Sequence, residues 1–300
     1  MSVVSARAQR ALDAAVTVAR AHGVRVDEPE VLADGQNVVV RLGPAPVVAR
    51  VASMTTLLRP DSVRTFGREV ALAGALAAAG ADVVPPSDEL PPGPHVQDGV
   101  TLSFWRHVDI HPLEPTPADV GRAFGELHAA LAEVPDHLLL PGRPLDTPLD
   151  DLATFVDRAA GLGADPAQAD RIPDLLAALA PRLAGEPTTL HGDTHPGNLL
   201  ATAAGWTWTD LEDCSRGPRG WDLACLRLTR RMDGRAAVDA SPFPLSDDEL
   251  APFLWLRALH LSAWWHVAAA REPEYLSEAQ ERLAAAVELV GRGLGSARQQ

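Results

Sequence analysis

Lysine is missing from the chain: all 26 basic residues are arginine. Alongside the abundance of Ala, Pro and Gly, this points to a strongly biased genome rather than to selection at single sites. Any role that chemistry usually gives to lysine must be filled by arginine or left empty. Cysteine is nearly missing as well. Cys214 and Cys225 are too few for a disulfide scaffold; they read most simply as small apolar fillers, and a reducing cytoplasm is the expected location. No run of about 18 apolar residues is present to span a bilayer as a helix. Nor does Ser5 to His22 read as a secretory signal, because Arg7, Arg10, Asp13 and Arg20 interrupt it at helical spacing. Positive charge is scarce, and 26 basic against 40 acidic side chains leave a net charge of −14. Such a field repels phosphate backbones and anionic membrane surfaces, which argues against nucleic acid or membrane as a partner. Internal repeats are absent too.

What is present divides the chain by texture. With 300 residues the chain can bury about three quarters of its extended-chain surface, enough for one large or two modest domains. After a helical pattern ending near His22-Gly23, the Val-rich runs Asn37 to Leu42 and Pro46 to Ala52, separated by Gly43-Pro44-Ala45, predict a β-hairpin. A helix follows, with Val63, Phe66, Val70, Leu72 and Leu76 on its apolar stripe. The stretch Pro85 to Pro94 reads as loop, and Val100 to Val108 as a strand leading out of a sheet domain. From Pro117 onward helical periodicity dominates. The expected architecture is therefore α+β, with a β-rich domain over 1–107 and a larger helical domain over 108–300.

One stretch breaks the helical half. Leu190-His191-Gly192-Asp193-Thr194-His195-Pro196-Gly197-Asn198-Leu199-Leu200 sets His-x-Asp, and five residues later Asn, in a loop closed by apolar residues. Phosphoryl transfer needs that set: the Asp takes or orients the proton of the attacking hydroxyl, and the Asn carbonyl holds magnesium on the phosphates. A second carboxylate should follow within a hairpin, and Trp206-Thr207-Trp208-Thr209-Asp210, after the turn Ala203-Ala204-Gly205, supplies it. Beyond lie the acidic turn Leu211-Glu212-Asp213, the break Gly217-Pro218 and the helix start Asp222-Leu223-Ala224.

Together these residues resemble the aminoglycoside phosphotransferase family, small-molecule relatives of protein kinases, closely over Leu190 to Ala224 and more weakly over most of the chain. The resemblance implies a bilobal protein-kinase-like fold with the boundary near Arg106 to Asp109. It implies magnesium-dependent transfer of the γ-phosphoryl of ATP, or GTP, to a hydroxyl of a small molecule. Asp193 would accept the hydroxyl proton, and Asn198 and Asp210 would hold the metal. The phosphate-anchoring lysine of such enzymes falls at Arg50 in Val47-Val48-Ala49-Arg50-Val51, with Glu69 as its helix partner and Trp105 also at the nucleotide. A guanidinium holds phosphate and carboxylate bidentately but is bulkier than an ammonium and aims differently. The glycine-rich loop is reduced to Asp34-Gly35-Gln36-Asn37.

Several residues keep two readings. Asp193 as a mere loop-organising carboxylate is set against its companions at 198 and 210. His191 orients the loop, while His195 either reaches the γ-phosphate or braces the loop. Asp213 is a turn residue or part of the acceptor site, and Asp222 caps the next helix and braces the catalytic loop. Trp255, Trp264 and Trp265, near His260 and His266, pack in the core or wall a substrate. Two rival classes compete with the kinase: a nucleotide-binding module without turnover, and a hydrolase using His191, Asp193, His195 and Asp210 as metal ligands. The acids Glu212, Asp213, Asp222, Asp233, Asp239, Asp247, Asp248 and Glu249 suggest a cationic acceptor such as an aminoglycoside or basic peptide antibiotic. A neutral metabolite, macrolide or sugar is the alternative. The protein is expected to be a monomer or homodimer.

Overall fold

Valine-rich strands build the first unit. In the computed structural model, which describes residues 5–135, 138 and 142–296, the chain forms two compact units. One comprises Met1–Glu114, Val134–Leu140 and Leu200–Glu212, the other Pro115–Glu133, Pro141–Leu199 and Asp213–Gln300. The first unit holds an antiparallel sheet of β1 (Val26–Asp34), β2 (Asn37–Pro44), β3 (Val47–Ala52), β4 (His95–Gln97) and β5 (Val100–Arg106) in the order β1-β2-β3-β5-β4. Val38, Val40, Leu42, Val47, Ala49, Val51, Leu102 and Phe104 share one face, covered by α1 (Ala6–Ala21) through Ala8, Ala11, Ala15 and Val18. The small alanines let the helix approach the sheet closely, and transfer of this apolar surface from water drives the packing.

The expected hairpin is β2 and β3. The edge strand β1 carries Asp27, Glu28, Pro29 and Glu30 and lies largely exposed, so no alternating apolar pattern announced it. Helix α2 (Ser62–Ala78) is capped by the Asp61 side chain and buries Phe66, Glu69, Val70, Leu72 and Leu76. Val63, expected on that stripe, is 46% exposed: it sits in the first turn, before the helix meets the sheet. The proline-rich stretch packs along β5, where the Ser87 N–H donates to the Phe104 carbonyl and the Phe104 N–H to that of Pro92. A hairpin of β7 (Leu199–Thr202) and β8 (Gly205–Trp208) completes the unit. Its buried Trp208 donates its N–H to the Asp82 carbonyl at 2.8 Å and accepts the Val84 N–H at 2.8 Å.

The second unit is helical: α3 (Pro117–Ala132), α4 (Asp146–Arg158), α5 (Pro166–Ala169), α6 (Ile172–Leu179), α7 (Gly220–Arg227), α8 (Gly234–Asp239), α9 (Asp247–Arg271) and α10 (Leu276–Ser296). Capping boxes start α3, through Thr116 and Asp119, and α9, through Ser246 and Glu249, satisfying N–H groups the helices leave unpaired. A two-stranded ribbon of β6 (Pro187–Leu190) and β9 (Ser215–Pro218) brackets the loop that follows β6. Helix α9 crosses this unit, burying Leu250, Phe253, Leu256, Leu259 and Val267, and with them Arg257 and His260. Two charged or titratable side chains inside an apolar helix face require partners.

Candidate active site

In the first unit the site grows from the strand alternation of β3. Val47, Ala49 and Val51 face the core, so Arg50 emerges on the opposite face. Its guanidinium spreads over three carboxylates: Nη1 donates to Glu69 Oε1 at 2.5 Å, and Nη2 meets Asp210 Oδ1 at 2.5 Å and Glu212 Oε2 at 2.8 Å. Glu212 is held further by the Asn37 amide at 3.0 Å, which in turn accepts the Thr55 hydroxyl at 2.8 Å. Arg59 lies 3.5 Å from Glu212. Burial pushes the Glu69 carboxyl up to about 8; the pull of Arg50 opposes this, while the carboxylates of Asp210 and Glu212 reinforce it. Glu69 Oε2 is buried without a partner.

Asp210 ends the β7–β8 hairpin with φ of +67°, a left-handed conformation that costs a non-glycine residue on the order of 1 kcal/mol. Its side chain is 38% exposed, with one oxygen on Arg50. Trp105 pairs with Val48 in the same register that pairs Ser103 with Arg50, so it shares the face of Arg50. Its ring is buried and its indole N–H donates to Ser103 Oγ at 2.9 Å. Sequence reasoning passed over Glu212 as one acid in a turn; nothing local marked its side chain as an anchor for Arg50.

In the second unit the loop after β6 is held by its backbone. Asp222, in the first turn of α7, accepts the His191 N–H at 2.9 Å and the Gly192 N–H at 2.8 Å, and its main-chain carbonyl accepts the Thr194 hydroxyl at 2.6 Å. The expected brace is present, but the carboxylate does not cap α7: the N-cap position is Arg219, which makes no side-chain cap. His128 on α3 stands 3.0 Å from the Asp222 carboxylate and accepts from Arg219 at 3.4 Å. The Trp221 indole donates to the Gly192 carbonyl at 2.8 Å, and the Cys225 thiol lies 3.5 Å from the same oxygen. Burial pushes that thiol well above its ordinary value, so it remains protonated, as an apolar filler would. Gly192 has φ of +92°, and a Cβ there would stand 2.1 Å from the Asp213 carbonyl oxygen, so only glycine fits.

This frame presents Asp193. The Asn198 amide donates to the Asp193 carbonyl at 3.0 Å, which spends its nitrogen and leaves Oδ1 as the acceptor for a cation. His195 accepts the Gly197 N–H on Nδ1 at 2.9 Å, which leaves the proton on Nε2, 3.3 Å from Asp193 Oδ2. Both ring nitrogens are thus engaged within the loop. Asp193 Oδ1 pairs with Arg257 from α9. Burial raises the Asp193 carboxyl, but Arg257 and His195 more than offset it and hold the group well below the usual carboxylate range. In the sequence Arg257 is marked only as an arginine within an apolar helical stripe.

The acids expected to draw a cationic acceptor are largely spent locally. Asp233 caps α8, Asp239 and Asp247 pair with Arg235, and Glu249 closes the α9 capping box. His260 and His266 are core residues, whereas Trp255, Trp264 and Trp265 are half-buried, with Trp265 beneath the Arg282 guanidinium at 4.2 Å. Among the described residues, no three His, Cys, Asp or Glu side chains gather as metal ligands, and no helix is long and apolar enough to cross a membrane.

No curated protein matches the sequence. Among solved structures, the chain is similar to the GDP and kanamycin complex of APH(2")-IIia, at 17% identity and TM-score 0.64 over 91% of this chain and 97% of that one. It is similar to a microcompartment-associated aminopropanol kinase, at 18% identity and TM-score 0.68 over 94% and 97%. It is also similar to the choline kinase LicA from Streptococcus pneumoniae, at 16% and 0.59 over 92% and 99%. These likenesses establish the protein-kinase-like fold. The profile of the APH phosphotransferase enzyme family matches residues 21–243, and the chain belongs to that family.

Proposed function

We propose that the protein transfers the γ-phosphoryl of ATP or GTP to a hydroxyl of a small amino-bearing alcohol. The observation that carries the reading is the presentation of Asp193: a carboxylate fixed by its loop, kept ionised by neighbours and followed by an amide whose oxygen is left for a cation. Asp193 receives the proton of the attacking hydroxyl. Arg50, steadied by Glu69, clamps the nucleotide phosphates, with Trp105 on the same strand face. His195 steadies the Asp193 carboxylate. Asn198 and Asp210 are the magnesium ligands in this reading; an amide oxygen and a carboxylate are the hard donors that ion takes, with phosphate oxygens and water completing its shell. Magnesium, when bound, neutralises charge on the phosphates.

Aminopropanol, choline and kanamycin, named for the similar structures, support the choice of acceptor class. The acids of this chain do not. With a cationic acceptor, catalytic efficiency falls as rising ionic strength screens the attraction; a product found only with neutral alcohols, at salt-independent rates, would retire the amino-alcohol reading and leave the kinase. For the chemistry, Asp193→Asn lowers turnover by ~10²–10⁴ while nucleotide binding persists, because it removes proton transfer by a positioned group. Asp210→Asn instead weakens binding of the magnesium–nucleotide complex. Near-wild-type turnover in Asp193→Asn would show that another group takes the proton. Nucleotide binding without turnover in the wild type, across all acceptors, would favour the binding-module alternative.

A further inference from the structure

A buried polar chain runs through the second unit behind the catalytic loop. Asp151 on α4, His260 and Arg257 on α9, and Asp193 follow one another, and the Arg257 side chain is only 7% exposed. Arginine can only donate, so the 3.2 Å contact between Arg257 Nη1 and His260 makes Nδ1 of the imidazole the acceptor. His260 Nε2 stands 2.8 Å from Asp151 Oδ2 and also meets the Trp264 indole N–H at 3.1 Å, so the ring is held from both sides. The far end of the guanidinium, Nη2, meets Asp193 Oδ1. The Arg257 guanidinium also lies 5.6 Å from the centre of the Trp221 ring, and Trp221 itself donates to the Gly192 carbonyl of the catalytic loop. One indole therefore serves both the loop backbone and the guanidinium.

Stability alone gives no reason for this arrangement. Neighbouring α9 positions on the same buried face are Phe253 and Leu256, and an apolar residue at 257 would avoid the desolvation of a guanidinium. Its Nε is moreover buried without a partner. What the arginine achieves is directional: it occupies Oδ1 of Asp193 and so fixes the carboxylate rotamer, leaving Oδ2 turned to His195 at 3.3 Å and to the Asn198 amide at 3.5 Å.

We propose that Arg257 is a positioning residue for Asp193, held in place by His260 and Asp151, and that Oδ2 is the oxygen that takes the hydroxyl proton. The inference rests on the phosphotransferase reading above. It is tested by steady-state turnover of magnesium ATP and magnesium GTP, with water and with kanamycin, choline and 1-amino-2-propanol as acceptors. Misplacing a reacting group by about 1 Å can cost ~10²-fold. Arg257→Gln is therefore expected to lower kcat by about that factor with the nucleotide KM unchanged, and Arg257→Lys, which keeps a cation, recovers at least about tenfold of it. His260→Gln gives an intermediate loss. In an Asp193→Asn background, Arg257→Gln costs nothing further, because the group it positions is already gone. Should Arg257→Gln fail to fold, the Lys and His260 variants carry the same comparison. An unchanged kcat, a loss shared equally by kcat and nucleotide KM, or a full additional loss in the Asp193→Asn background would overturn the positioning role. A wild-type protein that turns over neither nucleotide with any acceptor would instead overturn the phosphotransferase reading, and this role with it.

Discussion

A guanidinium at position 50 addresses carboxylates from a rigid planar fork, whereas an ammonium would offer three donors on a single nitrogen. Nη1 is given to Glu69 and Nη2 to Asp210 and Glu212. Arg50→Ala strands those acids without their shared cation. Because removing one partner of a buried ion network typically costs ~3–5 kcal/mol, and Asp210 is 38% exposed, a loss near the lower figure is expected in thermal or denaturant unfolding. The same variant should raise the nucleotide KM and lower turnover, whereas Arg50→Lys is partly tolerated; unchanged kinetics in Arg50→Ala would remove the residue from the site. Glu69 adds a pH signature. Its carboxyl is raised to about 8, so the folded chain binds that proton more tightly than the unfolded chain does. The contribution to stability is complete below the ordinary carboxylate range and is lost as pH rises toward 8. Melting curves across that window should slope downward in the wild type more steeply than in Glu69→Gln; parallel curves would contradict the shift.

At the scale of elements, the loop after β6 depends on a turn that admits no side chain. Gly192→Ala meets both a left-handed φ and a Cβ contact of 2.1 Å with the Asp213 carbonyl oxygen. A loss of at least about 2 kcal/mol is expected, read as a lowered unfolding midpoint, and a variant as stable as the wild type would mean the loop relaxes freely. The elements that carried a clean local period were legible in the chain: the β2–β3 hairpin from its valines, β8 from Trp206-Thr207-Trp208, and α2 from its apolar stripe. The order His191, Asp193, Asn198, Asp210 can be read from the chain because it falls within about twenty residues. Strand β1 was not, since its charges and Pro29 hide the period that burial would impose. Arg257, His128 and Glu212 were not legible for a different reason. Each acquires its role from a partner far away along the chain, 64 residues for Arg257 and Asp193, 94 for His128 and Asp222, and 175 for Asn37 and Glu212.

For the molecule as a whole, the net charge of −14 is not a field free to act on an acceptor, since many of its acids are committed inside the fold. Charge counted along the sequence ignores that acids at helix starts satisfy backbone N–H groups and that Arg235 neutralises two of them. The first unit also takes in Leu200–Glu212, a segment that no local period assigns to the first 114 residues. That membership reaches into biosynthesis. As the chain emerges from the ribosome, the β-sheet can form early, but Arg50 must wait for Asp210 and Glu212, and the segment at Asp82 and Val84 must wait for Trp208. Until residue 212 is clear of the exit tunnel, Arg50 has Glu69 but neither Asp210 nor Glu212, and the seam at Asp82 and Val84 stays unfilled, so the first unit is completed only after the loop that follows β6 has been made.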